Sequence, residues 1–148
     1  YYVFEYPDWV NVIAVTVDGK YVFERQYRHA VGLVSYELCA GVCEPDEASP
    51  LEAARRELLE ETGYGNGEWE ELMILSPNPG THTNLTYCYL ARNVERIESQ
   101  HLEPTEDIAV ELLSLEEVRA LLDCNGVLQA LHAAPLWKYT SMSSEGKV

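Results

Sequence analysis

GVCEPDEASPLEAARRELLEETG, residues 41–63, is the stretch from which the rest of the chain is read. Ser49 is a favourable N-cap, Pro50 suits the first helical position and Glu52 stands where a capping box places its returning carboxylate, so a helix opens here. Gly63 supplies the left-handed residue that ends it. At about 100° per residue Glu57, Glu60 and Glu61 fall on one side, beside an apolar stripe of Leu51, Ala54 and Leu58. Carboxylates three and four residues apart repel by roughly 0.2–0.5 kcal/mol per pair, and a hard divalent cation reverses that sign. The simpler reading is a solvated acidic face whose charge Arg55 and Arg56 offset in part.

The motif shifts the balance between them. Gly41, Glu47, Arg56, Glu57, Leu58, Glu60, Glu61 and Gly63 resemble the Nudix box, with Tyr64 in place of its last aliphatic residue. The spacing from Glu47 to Arg56 is one residue longer than in that family. Ser49 and Pro50 keep the helix in register, so the extra residue belongs near Ala48 in the preceding loop. Glu57, Glu60 and Glu61 keep their places, while Glu47 leaves its family spacing.

Further stretches narrow the resemblance. Gln26-Tyr27-Arg28 ends a strand, where an arginine presents a planar fork of donors to a phosphate; the plainer alternative is a surface arginine beside a packed tyrosine. Together with Glu37-Leu38-Cys39-Ala40-Gly41, in which Cys39 occupies a usual proline position, it looks like the ADP-ribose pyrophosphatase branch of the Nudix family. The Ser76-Pro77 loop with Gly80 is similar to that branch as well. His82, in the same loop, reads as an ordinary loop histidine rather than a base.

The resemblance implies a Nudix-like α/β/α sandwich of the α+β class with a mixed sheet. It also implies Mg²⁺, with Mn²⁺ as an alternative, held by the Ala40 carbonyl, Glu57, Glu60 and Glu61, with Gln26 and Arg28 on the substrate. Arg56 orients a helix carboxylate one turn on. A base or further metal ligand is expected from the acidic loop Glu103-Pro104-Thr105-Glu106-Asp107, where Glu106 fits first and Glu103 second. The implied reaction is hydrolysis of a nucleoside diphosphate linked to another moiety, foremost ADP-ribose to AMP and ribose 5-phosphate. Another nucleotide sugar, a dinucleotide or a nucleoside triphosphate is the nearest rival. A non-catalytic Nudix-fold ADP-ribose sensor is the rival of a different class, although such sensors are expected to have lost helix carboxylates that are present here. A homodimer is implied too, and Tyr1, Tyr2, Phe4, Tyr6 and Trp9 offer an aromatic surface suited to one.

Composition agrees with this. The 148 residues, 47% hydrophobic, suffice for one domain with a real core, and 25 acidic against 10 basic residues give a net charge of −15, which opposes nucleic-acid binding. Cys39, Cys43, Cys88 and Cys124 read as buried thiols; Cys39 and Cys43 alone fall short of a zinc site. No apolar run has membrane-spanning length, so a soluble cytoplasmic protein is expected. The chain opens on Tyr1 inside ordered-looking sequence, which points to a segment upstream.

Strands are predicted over 10–17, 21–26, 35–38, 70–75, 84–91 and 108–113, the first two joined by a two-residue Asp18-Gly19 turn. Ser114 and Glu117 make a second capping box opening a helix through Leu122. A last helix over 127–134 should stop at Pro135, and 140–148 should fray.

Overall fold

The computed structural model describes residues 1–144. Its centre is β1 (Trp9–Thr16), which has no solvent face: Val10, Val12 and Ala14 enter one core and Ile13 the other. Such a strand belongs inside a sheet covered on both sides. One edge of β1 runs parallel to β7 (Thr86–Arg96). The other edge is shared, with β4 (Cys39–Val42) antiparallel to Trp9–Val12 and β2 (Tyr21–Arg28) meeting it at Val15 and Tyr21. β2 also carries β3 (Leu33–Glu37) and β8 (Ala109–Leu113), while β5 (Tyr64–Gly65) and β6 (Glu68–Leu75) pair with β7. Among the described residues the eight strands form one mixed sheet.

Helix α1 (Pro50–Thr62) covers one face, where Ala53, Ala54 and Leu58 pack with Val10, Val12, Ala14 and Val22. Helices α2 (Leu115–Asp123) and α3 (Ala130–Ser144) cover the other, bringing Val118, Leu122, Leu136 and Tyr139 to Ile13, Phe23 and Leu90. This is the α/β/α sandwich of the α+β class that the sequence implies. A fully buried leucine such as Leu58 contributes roughly 1.5–3 kcal/mol to holding the layers together.

Three local expectations change. The first hairpin connection spans 17–20 rather than two residues, with Gly19 at φ +82° and the Lys20 N–H donating to Thr16 Oγ1 at 3.0 Å. After Leu38 the chain forms β4 instead of passing straight into a loop. Glu37 lies opposite Glu24 of β2, whereas Cys39 lies opposite Val12 of β1. The strand therefore changes neighbour at Leu38, whose N–H is taken instead by His132 Nδ1 of α3 at 3.2 Å.

Finally, α3 neither stops at Pro135 nor frays from Thr140: it runs Ala130–Ser144, and residues 145–148 lie outside the described residues. Pro135 has no N–H for the carbonyl one turn back. Asn11 Nδ2 on β1 donates to that carbonyl, Leu131 O, at 2.9 Å. A tertiary bond thus replaces the missing helical one. Asn11→Ala should cost about 1–3 kcal/mol in denaturant unfolding, the penalty for a buried carbonyl left without a donor. In a Pro135→Ala background, where the backbone N–H returns, the same change should cost at least about 1 kcal/mol less. Equal costs in the two backgrounds would show that Leu131 O is not what couples them.

Candidate active site

The site begins with the ends of α1. Ser49 Oγ accepts the Glu52 N–H at 3.4 Å, and the Glu52 carboxylate returns to the Ala48 N–H at 3.0 Å. Gly63 ends the helix at φ +77°, where a Cβ would also run into the Glu98 carbonyl. Between these caps Glu61 is buried, its Oε2 receiving the Ala40 N–H at 3.4 Å. Glu57 is partly buried and lies directly against Gly41, so close that a Cβ at position 41 would overlap its carboxyl group. Glu60 points further out, its side chain 46% exposed.

Arg56 organises this acidic face. Its guanidinium donates to Glu47 Oε1 at 2.5 Å, Glu57 Oε1 at 2.9 Å, Glu60 Oε2 at 3.2 Å and the Val42 carbonyl at 3.0 Å. Hydrogen bonding to Glu47, ahead of the other carboxylates, raises the Arg56 pKa and fixes its charge. The longer loop does not displace Glu47 from Arg56: its second oxygen is occupied by the Glu44 N–H at 2.8 Å, so the extra residue is absorbed within the loop.

The facing wall comes from β2, β3 and the segment before β8. Arg28 forms a two-pronged pair with Glu37, Nε to Oε2 at 2.8 Å and Nη2 to Oε1 at 2.5 Å. Burial acts to raise the Glu37 carboxyl, but the bonds and charge of Arg28 hold it below its ordinary value. Half of the Arg28 side chain stays exposed, leaving guanidinium N–H groups for a ligand. Residues 98–108 are tied to the end of α1, where helix carbonyls lack internal donors. The His101 N–H reaches Glu60 O at 2.7 Å, and Gln100 Nε2 bridges Glu61 O at 2.7 Å and Ile108 O at 3.0 Å.

That attachment brings Glu106 into a cavity of about 280 Å³ with Glu24, Gln26, Arg28, Ala40 and Glu61. Glu103 stays exposed and gives its N–H to Glu106 Oε2 at 2.8 Å. A second cavity of about 660 Å³ shares Arg28, Glu37 and Ala40 with the first and extends past Trp9, Val31 and Leu128. His82 lies outside both, its ring 5.0 Å from Tyr6 and 6.0 Å from Phe4.

Glu24 is the participant that sequence reading passed over. A glutamate two residues beyond buried Val22 keeps to the same, α1-facing side of the strand, and that inward charge was the available signal. Burial, then repulsion from Glu61, pushes the Glu24 pKa well up; burial likewise raises Glu61, against the opposing effect of its bond to Glu24. Adjacent buried carboxyls of this kind are most cheaply held with a shared proton or a cation. Burial, followed by the Glu61 charge and opposed by Arg56, pushes Glu57 up to about 7. Among the described residues, Glu24 Oε1 is buried with no hydrogen-bond partner. An unpartnered buried oxygen beside further carboxylates is the donor set a divalent cation fits.

The acidic helix α1 faces Arg28 across a polar cavity, and its carboxylates are the oxygen donors that a hard divalent cation fits. The chain belongs to the NUDIX domain family, whose model matches residues 7–131. It is 30% identical to an ADP-ribose pyrophosphatase of Bacillus subtilis over 127 residues, 85% of this chain and 68% of that protein. It is 35% identical to a GDP-mannose pyrophosphatase of Citrobacter koseri over 85 residues, 57% of this chain and 44% of that protein. A crystal structure of an ADP compounds hydrolase shares the fold at a TM-score of 0.81 and 23% identity, covering 95% of this chain and 75% of that one. The chain spans about half to two thirds of the length of the curated relatives it matches.

Gly41→Ala tests the packing of the acidic face. The displaced atoms belong to the movable Glu57 side chain, so folding stability should stay within about 1 kcal/mol of the parent in denaturant unfolding. Metal-dependent turnover should fall at least about tenfold because Glu57 is forced aside. A variant with parental turnover would show that the Glu57 position is not needed.

Proposed function

We propose that this chain hydrolyses the pyrophosphate of a nucleoside diphosphate joined to a second moiety, foremost ADP-ribose, giving AMP and ribose 5-phosphate. The observation that carries the reading is that two neighbouring cavities share Arg28, Glu37 and Ala40 in their linings. A ligand with a charged centre and a flat, less polar end matches that shape. The mostly apolar larger cavity takes the nucleoside, and Gln26 and Arg28 take the phosphates with N–H donors, Glu37 holding the guanidinium in place. Glu57, Glu60, Glu61 and the Ala40 carbonyl would hold Mg²⁺, or Mn²⁺ as an alternative. When bound, the ion neutralises the pyrophosphate oxygens and makes phosphorus more electrophilic.

Glu106 orients a water and accepts its proton as the water oxygen attacks phosphorus and the bridging P–O bond breaks. The docking of residues 98–108 on α1 supports that assignment over Glu103. Arg56 orients the helix carboxylates without touching substrate. The GDP-mannose pyrophosphatase relative favours, as a second reading, a different nucleotide sugar in the same site. The protein then acts as a homodimer in the cytoplasm, without nucleic-acid partners. Tyr1, Tyr2, Phe4 and Tyr6 are exposed and give the dimer an aromatic surface. Among the described residues no helix is long and apolar enough to cross a membrane.

The reading is tested with ADP-ribose, GDP-mannose, a dinucleotide and a nucleoside triphosphate, each with Mg²⁺. ADP-ribose should give the highest kcat/KM. Glu61→Gln should lower turnover roughly 10²- to 10⁴-fold with the fold intact. At saturating Mg²⁺, Glu106→Gln should depress kcat strongly with little change in substrate affinity, and Glu103→Gln should do much less. If neither loop variant lowers kcat more than about threefold, below 1 kcal/mol, Glu106 is not the base. Light scattering at micromolar protein should return twice the chain mass, and a monomeric mass would overturn the dimer.

A further inference from the structure

Glu24, Cys39 and Glu61 reach one place from β2, β4 and α1. All three are buried, and one ligand atom of each lies within 4.8 Å of the others. Only Glu61 belongs to the helix carboxylates assigned to Mg²⁺ above. Glu24 and Cys39 come from strands and add something different in kind. Mg²⁺ selects hard oxygen donors, whereas a thiolate is a soft donor that prefers Zn²⁺ and its class. The second observation is that, among the described residues, Glu24 Oε1 has no hydrogen-bond partner, in a residue only 1% exposed whose carboxyl group lies against Glu61. A buried polar atom in that state is costly unless something binds it.

We infer that Glu24, Cys39 and Glu61 form a thiophilic metal site that takes Zn²⁺, or Cd²⁺ in its place, through one sulfur and two carboxylate oxygens. Zn–S bonds near 2.3 Å and Zn–O bonds near 2.1 Å set tetrahedral ligand atoms about 3.5 Å apart, so only small side-chain rotations close the group onto an ion. The cavity of about 280 Å³ that contains Glu24 and Glu61 is the entry path and has room for a water as fourth ligand. On binding, the Cys39 thiol loses its proton to solvent and the sulfur lone pair forms the metal bond. Because Glu61 serves both ions, a thiophilic ion at this site excludes the Mg²⁺ arrangement proposed for hydrolysis. That consequence rests on the proposed function; the site itself does not.

The test uses the metal-free full chain carrying Cys124→Ser, which removes the exposed thiol. Cd²⁺ titration should produce a thiolate-to-cadmium absorbance band that saturates at one equivalent and is bleached by Zn²⁺. Cys39→Ser and Cys39→Ala should each abolish the band, Cys43→Ser should keep it, and Glu24→Gln should weaken Cd²⁺ at least about tenfold. Circular dichroism checks that each variant is folded. Absence of the band in the Cys39-containing chain, or its survival in a folded Cys39 variant, overturns the site. Glu57→Gln separates the two readings: the band persists in it while Mg²⁺-dependent turnover falls. A chain with the band but no hydrolysis of any nucleotide would count against the proposed function alone.

Discussion

Carboxylates kept out of water next to one another are the constraint to which the surrounding structure answers. Removing an ion from water costs several kcal/mol, and among the described residues no arginine pairs with Glu24 or Glu61, both of which are buried. The stabilisation must come from elsewhere. Ala53, Ala54 and Leu58 let α1 settle against Val10, Val12 and Ala14, and the same settling brings Glu61 to Ala40 and Glu57 to Gly41. Small residues at the helix–sheet contact therefore do two things at once: they allow close packing, and they set the depth of the acidic groups. Arg56 meets the outer carboxylates, Glu57 and Glu60, and leaves the inner ones for a ligand.

The far face of the sheet takes part through one residue of main chain. At Leu38 the strand leaves β2 for β1, and a backbone N–H at such a change of neighbour has no ladder partner. His132 from α3 accepts it, which requires an unprotonated Nδ1. Burial pushes the imidazole down to about 4, so that state holds at neutral pH. Asn11 fixes the same turn of α3 through Leu131 O. Glu37 and Ala40, which line the cavities, stand on either side of this anchored junction. The position of the Arg28–Glu37 pair thus depends on a helix in the opposite layer.

Much of this was legible before the structure. Capping residues at both ends of α1 are local signals, read correctly at Ser49, Glu52 and Gly63, and Ser114 caps α2 as its spacing implies. The layers followed from alternation and from the family resemblance. What was not legible involves partners distant in sequence. A strand that changes neighbour at Leu38 looks like a strand running into a loop, since both are apolar and short. Pro135 reads as a helix stop unless Asn11, more than a hundred residues earlier, is known to take over the free carbonyl. Gln100 reads as a loop polar residue until α1 supplies its acceptors. Glu24 was the nearest miss, an acidic side chain at an inward strand position in plain view.

Charge adds a last physical step. A net charge of −15 repels a pyrophosphate at long range, which makes general attraction an unsuitable basis for recognition. At physiological ionic strength that repulsion is screened beyond about 8 Å, so binding is decided by groups at contact distance. Among the described residues Arg28 is the cation that lines both cavities, and Glu37 already engages two of its N–H groups. The remaining donors are too few to balance a pyrophosphate beside Glu24, Glu61 and Glu106. Under the proposed function, the local excess of negative charge disfavours a free phosphate and favours one that arrives with a cation.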